Sequence, residues 1–290
     1  MRVGVVFPQT EIGPDPEVVR EYAETAEARG YDHLLAYDHV LGADPEGEAW
    51  SGGYDLDDQF HEPLTLFSHL AAVTDDLALV TGILVLPQRQ TALVAKQTAE
   101  VDVLSAGRLR LGVGVGWNEA EYEALGEAFS ERGRRIESQI PLLRDLWTEE
   151  SVSREDEFHT LRGVGLNPRP VQRPIPVWMG GTADVVLRRA ARLADGWLPQ
   201  ADPGPELDDQ LARLREYARE AGRDPDELTV VGRMNLAGGD WVERVRTWRD
   251  LGVDYLSVDT MDAGVEAPSG HAETLAAFAD ELAGEGVGLE

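Results

Sequence analysis

Short apolar runs rich in β-branched residues alternate with longer segments of helical period from one end of the chain to the other. Strands are predicted over 2–7, 33–37, 78–84, 109–115, 176–179, 196–199, 229–232 and 255–258. Each run is too short for a helix and is composed of residues that fit a pleated, half-buried surface. Between them, apolar positions recur every three or four residues. This predicts helices over 17–29, 63–74, 92–105, 119–125, 132–147, 183–194, 207–221, 241–251 and 272–283. Eight βα units favour closure into a (β/α)8 TIM barrel over an open sheet, and 290 residues is an ordinary length for that fold. The whole of 1–290 reads as a single domain.

Two connections exceed what a bare barrel needs, one over 42–61 after the second strand and one over 149–173 after the fourth. Long loops in a compact domain are usually functional or disordered. Each leaves the carboxyl side of a strand or of its helix, so part of each is expected to reach the catalytic face.

In this architecture active sites collect at the carboxyl ends of the strands. The second strand ends in Tyr37-Asp38-His39, and His39 is the one histidine so placed. The pair Asp38-His39 suits hydrogen bonding to a heterocycle and proton transfer at neutral pH. His33 begins the same strand and reads as structural, His61 as a border residue in the insertion, and His69, His159 and His271 as helix or loop residues. No second histidine or carboxylate stands at a ligand spacing from His39, so no metal is expected. The fourth strand ends in Gly112-Val113-Gly114-Val115-Gly116-Trp117. A dinucleotide fingerprint would need glycine where Trp117 stands, and it belongs to a first βα turn. The glycines read either as close packing at a barrel corner or as a wall against which a flat ring can lie.

Gly180-Gly181-Thr182 follows the fifth strand and precedes a helix, with Thr182 a candidate N-cap. Free amides and the helix dipole at such an end favour phosphate, although Asp184 would repel an anion if it faced one. Arg188, Arg189 and Arg192, further along the helix, read as partners for carboxylates. Firm strand ends carry Asp38 as their one carboxylate, which disfavours a hydrolase working through paired acids.

Composition narrows the partners. With 26 basic against 54 acidic residues the net charge is −28, and Lys96 is the sole lysine. Nucleic acid and anionic membranes both require a basic face, so neither is an expected partner. Such self-repulsion is relieved when salt shortens the screening length to about 3 Å at 1 M. The balance is similar to that of proteins from halophilic archaea. No cysteine is present, which removes disulfides and thiolate chemistry. The opening MRVGVVFPQT lacks the apolar run and cleavage site of a signal peptide, and no stretch has the length of a membrane span, so a cytoplasmic protein is expected.

Three stretches carry a family likeness. They are LLAYDHV at 34–40, TGILVLPQRQTALVAKQTAEVDVLSAGRLRLGVGVGWNEAEYEALG at 81–126, and RPVQRPIPVWMGGTADVVLRRAARLADGWLP at 169–199. The chain resembles the luciferase-like monooxygenases, and within them the F420-dependent oxidoreductases. The resemblance implies a bacterial-luciferase-like barrel and the deazaflavin coenzyme F420, with FMN as the alternative cofactor. It implies a cis peptide at Gly82-Ile83 behind the ring, and contacts to the ring system from Asp38 and His39. Gly114 and Gly116 would line the ring edge, and Gly180, Gly181 and Thr182 would hold phosphate. His39 would be the catalytic residue. A small-molecule substrate and a homodimer are implied as well. Where the sugar-phosphate dehydrogenases of this branch carry an acidic proton donor, this sequence has Trp117, and it lacks their phosphate-gripping lysines. The competing expectations are an FMN-dependent two-component monooxygenase and a non-catalytic flavin- or deazaflavin-binding barrel.

Overall fold

The computed structural model describes residues 1–47 and 52–289; residues 48–51 of the predicted 42–61 insertion lie outside that set, as does residue 290. The chain begins with β1 (Arg2–Val6), β2 (His33–Ala36), β3 (Ala78–Thr81), its continuation β4 (Leu84–Val85) and β5 (Leu109–Gly114). A hairpin, β6 (Val152–Glu155) and β7 (Thr160–Val164), precedes β8 (Val177–Gly180), β9 (Gly196–Leu198), β10 (Thr229–Asn235) and β11 (Tyr255–Asp259). All but the hairpin pair in parallel. β1 pairs with both β2 and β11, and β3 pairs with β5, so the sheet closes on itself. The expected (β/α)8 barrel is the fold.

The helices are α1 (Pro16–Ala28), α2 (Pro63–Ala71), α3 (Thr91–Leu104), α4 (Glu119–Ala124), α5 (Arg132–Thr148), α6 (Asp184–Leu193), α7 (Pro205–Glu220), α8 (Trp241–Asp250) and α9 (Ser269–Gly284). None is long and apolar enough to cross a membrane. Local chemistry starts them. Pro16 presets the first helical φ of α1, and Asp15 accepts the Glu17 N–H at 3.0 Å. Glu62 and Pro63 repeat the device at α2, where Glu62 accepts from Thr65 N at 2.7 Å.

Both faces of the barrel strands are buried, as parallel sheets require. The outward-facing Val3, Val5, Leu34, Leu79 and Leu111 pack with helix residues such as Tyr22, Phe67, Leu70 and Trp147. A smaller inner cluster of Val6, Leu35, Val80, Trp178, Leu198, Val231 and Met261 plugs the barrel. Burying each such aliphatic side chain contributes roughly 1.5–3 kcal/mol. Tyr37 and Ile83, just past the ends of β2 and β3, pack on this plug and form the floor of what lies above it.

Most element boundaries shift by one to three residues from expectation, and three of the strand changes bear on the site. The third strand, predicted unbroken over 78–84, breaks at a cis Gly82–Ile83 peptide, so that β3 stays with β2 while β4 pairs only with β5. The seventh strand runs to Asn235 instead of stopping at Gly232. That glycine is no terminator: a Cβ there would lie 2.7 Å from the Trp248 ring, so its role is close packing of α8 on the sheet. The eighth runs one residue further, to Asp259. The two long connections also part company. The hairpin segment packs along α3 and α5, through Ser138 Oγ donating to Asp156 (2.7 Å) and Gln172 Nε2 donating to Asp102 (2.6 Å). It lines neither of the cavities at the carboxyl face, whereas the first insertion does.

Candidate active site

A cavity of about 370 Å³ opens at the carboxyl ends of the strands, and all nine residues singled out in the sequence border it. Its floor is Ile83. The glycines around it are explained by that side chain: a Cβ on either Gly114 or Gly180 would come within 2.7 Å of Ile83 atoms. Gly116 adds a backbone reason, with φ at +64°. The two readings of the glycine string therefore meet in one place, because the packing that needs glycine is the packing that seats the cavity floor.

His39 stands three residues beyond the end of β2, with a side chain 12% exposed. Its ring is walled by Tyr54 (centroids 5.0 Å apart), Phe60 (4.8 Å) and Trp117 (5.5 Å). Two of these three come from the first insertion. Trp117 is itself 43% exposed, and Gly53 lies so close to it that a Cβ there would sit 2.6 Å from the indole. The insertion thus folds over the cavity and encloses the imidazole.

The imidazole is held by a carboxylate that the sequence reading passed over. Glu121, the third residue of α4, places Oε1 3.2 Å from His39 Nδ1. The same oxygen accepts the backbone N–H groups of Val40 (2.8 Å) and Leu41 (3.1 Å), and Oε2 accepts from Gln88 Nε2 (3.1 Å). Burial pushes the Glu121 carboxyl up, but hydrogen bonds from His39, Gln88 and Leu41 outweigh it and hold the group below the ordinary carboxylate range. An ionised Glu121 accepts a proton held on His39 Nδ1, and Nε2 has no partner among the described residues. Asn118 before α4 with Glu121 at the third helical position has the form of a capping box. Asn118 does cap, accepting from Ala120 N at 3.1 Å, but Glu121 serves the loop after β2 instead of the cap.

Asp38 borders the cavity with both oxygens engaged. Oδ2 accepts from Val85 N and Oδ1 from Arg89 Nη2, each at 2.8 Å, and Arg89 also pairs with Glu62 at 2.9 Å. Asp38 thereby pins the chain just after the cis peptide to the end of β2, which fixes the height of Ile83.

On the opposite wall, Gly180, Gly181, Thr182 and Ala183 lead into α6. The N-cap is Ala183, one residue later than expected, and no side chain caps this end. Asp184 does not face the cavity as an unpaired anion. Tyr217 (2.5 Å), Arg213 and Arg188 (3.0 Å) hold its carboxylate, and these bonds bring its pKa down to about 2. Arg189 and Arg192 both bind Glu137, at 2.6 and 2.5 Å, in the carboxylate-pairing role expected of them. The amide-rich turn is therefore left open to the cavity.

Arg233 and Gln200 also line this cavity. Neither is among the expected site residues: the seventh strand is predicted to stop at Gly232, short of Arg233, and Gln200 lies in the loop beyond β9, which ends at Leu198. The signal available for Arg233 was the continued alternation in VVGRMN.

The model of the luciferase-like monooxygenases matches residues 1–285. An uncharacterized protein of Mycobacterium tuberculosis is 36% identical over 244 residues, 81% of this chain and 82% of that one. An FMNH2-dependent dimethylsulfone monooxygenase of Pseudomonas putida is 30% identical over 212 residues, covering 72% of this chain and 55% of the relative. An F420-dependent glucose-6-phosphate dehydrogenase of Nakamurella multipartita is 29% identical over 266 residues, 87% of this chain and 73% of the relative. Among solved structures, a long-chain alkane monooxygenase superposes with TM-score 0.81 at 13% identity, covering 99% of this chain and 92% of that one, and speaks for the fold alone. The chain belongs to the luciferase-like monooxygenase family, whose members are F420- or flavin-dependent oxidoreductases.

Proposed function

We propose that the cavity takes coenzyme F420 and that the enzyme moves a hydride between the deazaflavin C5 and a small organic substrate. The observation that carries this reading is His39: one ring nitrogen fixed by a buried carboxylate, the other left for a bound molecule, at the edge of a cavity with an uncapped helix end opposite. The residues fit such a group. Backbone free of side chains at Gly114, Gly116, Gly180 and Gly181 leaves flat walls, and Ile83 offers an apolar floor. The N-terminus of α6 suits a phosphate, with Gly180, Gly181 and Thr182 as the residues that would hold it.

The bound cofactor would supply or accept the hydride; the protein has to manage the proton. His39 Nε2 takes a proton from the substrate in one direction and returns it in the other. Glu121 keeps the ring in that tautomer and stabilises the imidazolium, while Tyr54, Phe60 and Trp117 limit water around it. Asp38 acts by holding Val85 and the floor residue in place. Lys96, the sole lysine, is bound to Glu100 (2.9 Å) and to the carbonyl of Asn167 (3.2 Å), away from the cavity. With no lysine there and an indole at position 117, a phosphorylated sugar is not the substrate this cavity favours.

Titration of the purified protein with F420 and with FMN, in molar KCl, tests the cofactor. F420 is expected to bind and FMN to bind at least tenfold more weakly, a difference of about 1.4 kcal/mol. The dimethylsulfone monooxygenase relative supports the FMN reading, and binding of FMN alone would replace our proposal with it.

A further inference from the structure

A second cavity, of about 330 Å³, adjoins the first at the carboxyl face and shares Tyr37, Tyr54, Gln200 and Arg233 with it. Thr10, Asp202, Asn235, Asp259, Met261 and Asp262 are among the other residues that line it. Its size lies at the small end of ligand sites, which span roughly 300–1,000 Å³. We infer that this compartment is the substrate site and that it takes a small, hydroxyl-rich molecule of the polyol or sugar class that carries no anionic group. The inference rests on the hydride-transfer reading above, since the shared wall is what brings substrate beside cofactor.

The chemistry of the lining decides the class. Arg233 is the one cation there, against the carboxylates of Asp202, Asp259 and Asp262. Its Nη1 donates to the Tyr37 hydroxyl at 2.7 Å, and that hydroxyl donates to Asp259 Oδ2 at 3.2 Å. Asp259 Oδ1 accepts the N–H of Met261 at 2.9 Å. The charge of Arg233 is thus met by Asp259 through a single hydroxyl, and two carboxylates remain over. A phosphate or carboxylate ligand would enter a compartment already negative, where three carboxylates oppose Arg233, the one cation among the described lining residues. A hydroxyl suits it, because it donates to carboxylate and accepts from guanidinium or amide at once. Tyr37 and Tyr54 add rings against which the C–H face of a sugar can rest. The desolvated Asp259 carboxyl, raised by burial, is the group most ready to share a proton with such a hydroxyl.

One panel of probes on one carbon skeleton tests this: glucose, gluconate, glucose 6-phosphate and glucosamine. Binding to the full-length protein is followed by calorimetry and ligand-observed NMR, with and without F420. Glucose is expected to bind about tenfold tighter than either anion, and glucosamine, whose ammonium the surplus carboxylates attract, at least as tightly as glucose. The double variant Asp202→Asn/Asp262→Asn, at two exposed positions that border only this compartment, is expected to narrow the glucose-to-gluconate ratio at least threefold while F420 binding stays unchanged. Asp259→Asn is expected to weaken glucose about tenfold, the order expected for a lost charged hydrogen bond. Should that variant misfold, the double variant carries the test. Anions binding as well as or better than glucose, or a ratio unmoved by the double variant, would overturn the inference. Failure of F420 to bind, with sugar selectivity intact, would overturn only the cofactor reading.

Discussion

His33 and His39 flank the same strand, β2, at opposite ends of the barrel, and each stands beside a carboxylate. On hydrogen bonds alone His33 has the better claim to chemistry. Its Nδ1 lies 3.3 Å from Asp32 Oδ2 and its Nε2 2.8 Å from Ser257 Oγ, the order of an acid, base and nucleophile. Yet Ser257 is fully buried, the His33 side chain is 1% exposed, and the cavity of about 140 Å³ that His33 borders is less than half the size of the one at His39, about 370 Å³. Both nitrogens of His33 are spent within the protein. His39 has a plainer arrangement, with Nδ1 held and Nε2 without a partner among the described residues, and it borders the larger cavity. Access, and a nitrogen without a partner among the described residues, favour His39 over His33 as the candidate for chemistry, more than the geometry of a relay does.

That contrast can be broken in several places. The largest effect is expected at His39→Ala: turnover falls by about 10²- to 10⁴-fold, the usual worth of a positioned acid–base group, with F420 affinity and the unfolding midpoint little changed. Unchanged steady-state kinetics would remove His39 from the mechanism and revive a barrel that binds its cofactor without using it. His33→Ala should do the reverse. It leaves the buried Ser257 hydroxyl unpaired and opens space beneath β1, costing about 2–4 kcal/mol in urea unfolding while kcat per folded molecule holds.

Gly180→Ala comes next. The added methyl presses on Ile83 and is expected to cost about 1–3 kcal/mol, with weaker cofactor binding because the floor must move. Wild-type affinity for F420 in that variant would mean that Ile83 does not support the cofactor.

Glu121→Gln tests whether the carboxylate acts through His39. On the order of a tenfold loss of kcat with nearly unchanged KM is expected, because a neutral amide holds the ring less firmly. The pH dependence of stability gives a readout that packing alone would not move. Glu121 is held below its ordinary pKa of 4.5, so its contribution is complete above that value and is lost as pH falls through the lower folded value. The acid limb of stability should be shallower in Glu121→Gln than in the native chain. The smallest effect is from salt. With a net charge of −28 the melting temperature should climb with KCl, whereas the kinetic loss in His39→Ala should be the same at every salt concentration.

Much of this was legible in the sequence for a physical reason: strand ends are marked by local patterning. The end of β2 placed His39, the glycines at the ends of β5 and β8 marked the cavity walls, and the position of His33 at the start of the strand set it apart from His39. The residues that escaped did so because their roles are non-local. Glu121 carries the local signature of a helix start, yet its oxygens serve residues 80 positions away in sequence, at Val40 and Leu41. Arg233 and Asp259 sit on strand extensions that lacked an end signal, Gly232 being a packing glycine. Tyr54 and Phe60 lie in a loop whose composition gives no sign that it folds back over the barrel.

The sequence by itself determined the barrel, the end of it that carries the site, and the family, since each follows from periodicity or from contiguous motifs. Tertiary structure alone decided which insertion encloses the site, which histidine keeps a nitrogen free, and that a second, acidic compartment lies beside the first. Those features depend on the burial and meeting of side chains far apart in the chain, and linear patterning holds no record of them.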